Sequence, residues 1–556
     1  MVEREHRSDM KVISLGMLAA VVLTACATVG AGGGSGGAYG ARDMRQLVGS
    51  YADVRAVAVS RRYVYSATPS GIGVYDRIFN SWLAPLARDN GVAEGQVTAM
   101  SGDPVEDAVW YGVPGAVIAY RPQVEQLQRT MIVGVPDIIA FEKSATGDVV
   151  VRAGGAWTRV SRTGLATPMA QPPSAASLIL PPTLDNLYTQ FPMLRAQQSS
   201  LFREQRADRS LLNFRIVAGV SSPERASEVW LATNGDGLYR VDPTLVNATP
   251  LRFGPIESGI GALALAADGV WSAGLGVSRV RSGLSFARDD MQRWRWIDGT
   301  ISVPMLGMRA LAMSVRTQRA WIGTDRGVVR VRLDGDEAMA AWTLVDGLPD
   351  DRVFAVSAAN NGAWVGTGRG LVWIDDSTDT RNTRTRNISA RYLENTTVFA
   401  LQPVGDTLWI GTSAGLVALT GGTSNGTLVR PLGSEPALRR PIRALTWSDS
   451  VLLAVTDDGV LQLTPRRPSP PTRVIALDVQ QVGLPTRIFM DDRTVFLAGT
   501  QGLIVMNRRD NGLRVLRVPN DLPSNVTDVV ASRDWLWIGT AAGLLRMRRA
   551  ADGGLP

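Results

Sequence analysis

Histidine and cysteine occur once each in 556 residues, at His6 and Cys26, and lysine only at Lys11 and Lys143. Both lie within the first 26 residues, so residues 27–556 build no Ser-His-Asp triad, no Cys-His pair and no zinc site of His or Cys ligands. The scarcity of lysine leaves arginine to supply the formal charge of +7. Those arginines are scattered, with short clusters at Arg381, Arg384 and Arg386, at Arg439, Arg440 and Arg443, and at Arg546, Arg548 and Arg549. They read as solvated surface rather than the basic stripe of a nucleic-acid-binding protein, and no nucleic acid is expected as a partner. Long apolar runs are also missing. The one exception, Val12 to Ala25, is too short to span a bilayer as a helix.

That run follows Lys11 and has the length of a signal-peptide core. It closes on Leu23-Thr24-Ala25-Cys26, which resembles the lipobox of bacterial lipoproteins, where the signal peptide is cut before the cysteine and the thiol carries the lipid. The resemblance implies lipidation at Cys26 and removal of residues 1–25, His6 included. Met10 looks like the natural start. Ala27 in place of Asp after the cysteine implies the outer membrane rather than inner-membrane retention. Gly30 to Gly40 is almost all Gly, Ala and Ser and reads as a flexible tether within 26–43. Membrane contact is expected through the lipid anchor only.

What the chain has in abundance is one repeated strand. Trp321-Ile322-Gly323-Thr324 recurs as Trp364-Val365-Gly366-Thr367, Trp409-Ile410-Gly411-Thr412 and Trp537-Ile538-Gly539-Thr540, each followed by a Gly and an apolar residue. Gly323 to Gly366 is 43 residues and Gly366 to Gly411 is 45. A period in the low forties with a Trp-bearing strand at its centre predicts propeller blades of about four short strands. Eleven copies centre on Ala67, Gly112, Ala153, Ala232, Ala273, Gly323, Gly366, Gly411, Ala454, Gly499 and Gly539. The expected fold is therefore all-β, with eleven or twelve blades. Because that exceeds the usual four to eight, two propellers are expected, one over 44–300 and one over 301–556. The recurrent Trp at one fixed repeat position favours packing between blades over a sugar-stacking platform.

Two segments break the period. The interval between Ala153 and Ala232 holds a proline-rich stretch and then a helical pattern over Pro192 to Arg206, with Leu194, Leu201 and Phe202 on one face. An insertion at 162–215 is expected there, and these three residues are the candidate partner contacts if they face outward. Met44 to Tyr51 is a spare strand before the first copy, and the last copy runs out near Met547. Pairing the two would complete a blade and hide its edges.

Asp346-Gly347-Leu348-Pro349 before Val353, Asn361-Gly362, Trp364 to Thr367 and Gly370-Leu371 together resemble the two-component regulator propeller repeat. A second match runs from Asp521-Leu522-Pro523 through Trp537 to Thr540 and Gly543-Leu544. The resemblance covers roughly 220–550 well and 50–160 loosely, and implies a periplasmic ligand-binding sensor. The chain departs from the sensor kinases in having nothing after the repeats that reads as a membrane helix or kinase, so signalling would pass through a partner.

Chemistry finds little support. Gly411 to Gly415 matches GxSxG, but Asp325 and Ala541 occupy the serine's place in sister repeats. Adjacent acids at Asp289-Asp290, Asp350-Asp351, Asp375-Asp376, Asp457-Asp458 and Asp491-Asp492 read as solvated turns rather than glycosidase pairs. Asn234-Gly235-Asp236-Gly237 and Asp334-Gly335-Asp336 lack the ligand spacing of a calcium loop. The streptogramin lyases use histidine and the quinoprotein propellers a Gly-Lys pattern, and neither fits. The expectation is a non-catalytic envelope propeller, without cofactor or metal, that binds a protein, small ligand or glycan as sensor or scaffold. A carboxylate-dependent polysaccharide lyase or hydrolase and an outer-membrane assembly scaffold are the alternatives.

Overall fold

The computed structural model describes residues 44–555 except 87–96, 98, 104, 133–137, 145–147, 154–155, 172–177, 180–183, 197–214, 223, 226, 245–246, 277–280, 300–304, 315, 336–337, 377–384, 389–392, 422–426, 430–434, 466–469 and 478. Cys26, Leu201 and Phe202 lie outside the described residues. Among those described, eleven antiparallel sheets form, one five-stranded and the rest four-stranded. Each of the eleven sequence copies supplies the second strand of one sheet. Numbered in chain order, blades 1 to 4 span 56–82, 99–131, 138–179 and 216–251. Blades 5 to 11 span 260–298, 310–342, 353–387, 398–429, 444–476, 485–517 and 526–548.

The repeated Trp-Ile-Gly-Thr strand does three separate jobs. Its Trp fills the gap to the following blade: Trp321 packs with Val353, Ala363 and Val365, and Trp364 with Val398, Leu408 and Ile410. Its Gly lets that neighbour approach, since a Cβ on Gly323 would lie 2.6 Å from the Val353 side chain and one on Gly366 2.5 Å from Val398. Its Thr hydroxyl closes the next turn by donating to the carbonyl three residues on, at 2.8 Å for Thr324 to Gly327 and 2.7 Å for Thr412 to Gly415. An aromatic of this size, buried once per repeat, gives a thin four-stranded sheet its share of core.

The innermost strands of blades 5 to 11 touch in succession, and that of blade 11 returns to blade 5. Seven blades thus close a ring. Blades 4, 1, 2 and 3 neighbour one another in that order as an arc. The first expected half therefore splits: the division falls between Leu251 and Ile260 rather than at 300, because the sheet over 260–298 packs against blades 6 and 11. The spare N-terminal strand, Arg45–Val48, pairs antiparallel with Leu544 to Met547 as the outermost strand of blade 11. The chain passes from there into the arc and then back into the ring, so its first strand and last blade complete each other.

One hydrophobic cluster bridges ring and arc, joining Val57, Trp82 and Trp230 of the arc with Ile260, Trp537 and Leu544 of the ring. Phe253, in the connection from blade 4 to blade 5, stacks on Trp82 at 4.8 Å and meets Tyr51 edge-on at 5.0 Å. Burial pushes the Tyr51 hydroxyl well above its ordinary value.

Strands at Ala166–Met169 and Leu178–Ile179 belong to blade 3, so the insertion expected at 162–215 narrows to the segment after Ile179, which carries two short helices, α1 (Leu184–Gln190) and α2 (Pro192–Ala196), where one helix over Pro192 to Arg206 is expected. Pro192 suits a first helical turn and sets α2 apart from α1. Leu187, Tyr188 and Leu194 pack onto Leu231, Tyr239 and Val241 on the flank of blade 4. Leu194 is fully buried, so as an outward partner contact it is corrected: the apolar stripe covers a blade wall.

Candidate functional site

The turns between second and third strands, with the connections between blades, gather at one end of the molecule. There the arc meets the ring around a cavity of about 680 Å³. Pro69 and Ser70 come from blade 1, Asn234 and Gly235 from blade 4, Leu275 from blade 5 and Ala541 from blade 11. The connecting segments add Ser50, Ala52, Asp53 and 256–259.

Hydroxyls and backbone stitch these walls together. The Ser50 amide donates to the Ser258 hydroxyl at 2.9 Å, and the Ser50 hydroxyl to the Ile256 carbonyl at 2.8 Å. Ser258 and Ser70 share a hydroxyl pair at 3.1 Å. The Val54 amide donates to the Thr233 carbonyl and that of Gly237 to Ala52, both at 2.9 Å. Each partner in these contacts belongs to a different segment, so the cavity's shape depends on ring and arc staying docked.

Beneath it lies a buried ionic network. Arg281 of blade 5 donates twice to Asp298, from Nε and Nη2, both at 2.6 Å, and with Nη1 it binds Asp236 of blade 4. Tyr239 donates its hydroxyl to the same Asp236. The Arg281 and Arg252 guanidinia stand 4.7 and 5.3 Å from the Trp296 ring centre, and the Trp296 indole donates to the Gly254 carbonyl at 2.8 Å. Glu257, almost fully buried, accepts from the Gly276 amide at 2.9 Å. Charges this deeply withdrawn from water persist only when paired. The Asn234 to Gly237 turn, calcium-like by composition, thus carries an aspartate bound by a guanidinium and a tyrosine.

Two irregularities in the repeat build the site. Thr233 closes its turn on the carbonyl of Gly237, four residues on, where Thr324 closes on Gly327, three residues on. In blade 5 the second strand ends at Gly274 and the third begins only at Gly283. The longer turns deliver Asp236 and Arg281.

At the same end of the ring, bulges in the innermost strands of blades 7 and 8 present Phe354 and Phe399, and Arg309 and Arg443 stand just before the innermost strands of blades 6 and 9. The two phenylalanines meet edge-on at 6.0 Å, and the guanidinia of Arg309 and Arg443 lie 5.7 and 5.0 Å from their ring centres. Asp325 and Asp457 hold these arginines at 2.7 and 2.9 Å.

The adjacent acids of the sequence sit in or beside turns and mostly face arginine. The Arg352 guanidinium holds the Asp350 carboxyl below its usual range, and the Thr456 hydroxyl does the same for Asp458. Asp376 binds Arg319 and Arg330, and Asp491 binds Arg549 at 2.7 Å. Asp289 is shifted upward, first by burial and then by Asp268, but lies at the far end of blade 5 from the cavity. No group of three metal-ligating side chains occurs among the described residues.

No family model matches the chain, and no curated protein matches it in sequence. Its fold is similar to that of PorZ, a bacterial surface component of the type-IX secretion system of Porphyromonas gingivalis, with a TM-score of 0.55 at 12% identity over 91% of this chain and 87% of PorZ. The extracellular domain of BT4673 from B. thetaiotaomicron aligns with a TM-score of 0.41 at 14% identity, over 89% of this chain and 69% of that one. The WD40 propeller domain of Doa1 aligns with a TM-score of 0.40 at 12% identity, over 52% of this chain and 92% of its own. At such identities the likeness to PorZ shows the fold alone.

Proposed function

We propose that the protein is a lipid-anchored component of the bacterial envelope that binds a ligand in the cavity between ring and arc and performs no chemistry on it. The observation that carries this reading is that both bodies line one cavity over a shared ionic network. Serine hydroxyls, the Asn234 amide and apolar patches at Ile256 and Leu275, with the charged side chains of Asp53, Glu257 and Arg281, suit a hydroxyl-bearing ligand such as a glycan fragment. A ligand touching both bodies favours one relative placement of them, which is how occupancy becomes a signal to a partner. Glycoside cleavage needs two carboxylates facing each other across the substrate. Of the two carboxylates lining the cavity, Asp53 pairs with Arg55 at 3.6 Å and the buried Glu257 accepts from the Gly276 amide at 2.9 Å, which favours binding over cleavage. A scaffold role is the second reading, supported by the likeness to PorZ, itself a secretion-system surface component.

Two experiments test this. Mature chain from Ala27 onward, incubated with soluble envelope extract and washed, should retain a small molecule visible by native mass spectrometry. Ala541→Trp, which fills the cavity from an exposed wall, should abolish that retention. Equal retention by both chains would refute the site. Separately, Cys26→Ser should release the protein from membranes, whereas continued partitioning in high salt without any other lipid would refute the anchor.

A further inference from the structure

At the opposite end of the molecule, the turns between first and second strands and between third and fourth strands are exposed. In the ring these turns are polar among the described residues, for example Asn360-Asn361, Gly405-Asp406, Asp449-Ser450 and Asp491-Asp492. Water-facing turns are expected to look like this. In the arc three of these turns carry apolar, exposed tips: Ile78 is 65% exposed, Phe79 70%, Val105 76% and Val124 66%. All four belong to blades 1 and 2.

These turns share one platform. Asp107 of blade 2 accepts from the Ser60 hydroxyl at 2.6 Å, the Arg62 amide at 2.8 Å and the Gln123 amide group at 3.0 Å. Arg77 of blade 1 reaches Ser222 of blade 4 at 2.6 Å. Beside them is a hollow of about 720 Å³ lined by Arg61, Arg62, Arg77, Arg225 and Arg240. Asp76 and Glu228 lie buried behind Arg62, Arg77 and Arg240, Arg240 is half-buried, and at the surface Arg61 and Arg225 stand beside one exposed acid, Glu224, which Arg61 meets at 3.3 Å. The hollow thus presents five guanidinium groups against the carboxylates of Asp107 and Glu224, next to four apolar tips.

The N-terminus leaves from this end. Arg45 pairs with Met547, at the end of the last strand remote from the cavity. Gln46 lines a second hollow together with Arg62, Asp76 and Gln123 of blades 1 and 2. Only 17 residues lie between Cys26 and Met44, largely Gly, Ala and Ser. A Gly-rich random coil of that length has an average reach of about 20–25 Å.

We infer that this end of the arc is a docking surface for an anionic phospholipid bilayer, with Ile78, Phe79, Val105 and Val124 entering the headgroup region and the arginine-lined hollow receiving lipid phosphates. Exposed apolar side chains flanked by arginine are what interfacial binding requires. The orientation rests on the reading of Cys26 as the anchor, since a short tether from this end holds the surface against the membrane and turns the ligand cavity away from it.

The test uses the mature chain without lipid, so that its outcome is independent of Cys26. In flotation with vesicles of phosphatidylcholine and phosphatidylglycerol, the protein should rise with the vesicles, less so at high salt. Phe79→Ser with Val124→Ser should lower partitioning at least ~10-fold, by removal of two inserting side chains. Leu344→Ser with Val345→Ser, exposed at the cavity end, should leave it unchanged. A solvatochromic label on Val105→Cys should shift to the blue on vesicle addition, and one on Val345→Cys should not, which reads docking without altering the other tips. Absence of flotation, flotation indifferent to phosphatidylglycerol, or partitioning untouched by the Phe79 and Val124 changes in protein of normal melting temperature would each overturn the inference.

Discussion

Arg281→Met is expected to cost about 3–5 kcal/mol of folding stability, the usual penalty for leaving a partner of a buried ion pair uncompensated. Asp298 would lose both of its hydrogen bonds from Arg281, and Asp236 would lose the guanidinium that ties blade 4 to blade 5. Because this contact joins arc and ring, calorimetry should show a lower transition temperature and a broader or split transition as the two bodies melt apart. Restoring neutrality with Asp236→Asn and Asp298→Asn in the same chain should recover part of the loss, since a whole buried network exchanged for neutral groups costs less than half of one. A single, unshifted transition for Arg281→Met would mean that the network does not hold the bodies together.

Deleting residues 44–48 should be comparably damaging. It removes the buried Val48 and the partly buried Leu47, worth roughly 1.5–3 kcal/mol each if fully buried. It also leaves the Leu544–Arg548 strand as a bare edge in blade 11. Such an edge pairs readily with another chain. Lower stability together with concentration-dependent assembly on size-exclusion chromatography is the expected result. An unchanged melting curve and a monodisperse monomer would contradict closure by the first strand.

How far these features are legible in the sequence depends on whether the residues concerned repeat. Trp321, Gly323 and Thr324 recur because every blade needs the same wedge, the same close approach and the same turn, so blade number and strand positions follow from spacing. Closure by Arg45–Val48 follows from counting strands. The grouping into seven and four does not, because blade-to-blade contact uses the same apolar pattern whether the next neighbour continues a ring or ends an arc. Leu194 shows a helical stripe but not which wall the stripe covers. The cavity had a signal in the chain all along: the extra residue between Thr233 and Gly237 and the long interval from Gly274 to Gly283 are departures from the repeat. They matter because packing does not require them. The apolar turn residues Phe79 and Val124 are invisible as a surface until the fold brings their blades side by side.

Hydrogen–deuterium exchange of the mature chain with and without the retained molecule, with the mass of that molecule followed in the same samples, bears most directly on a binding role at the junction. Protection should appear together in the arc at 67–70 and 234–237 and in the connection to the ring at 256–260, and the molecule should be recovered at its original mass after prolonged incubation. Protection confined to one body, or conversion of the molecule to products, would contradict a non-catalytic ligand held between ring and arc.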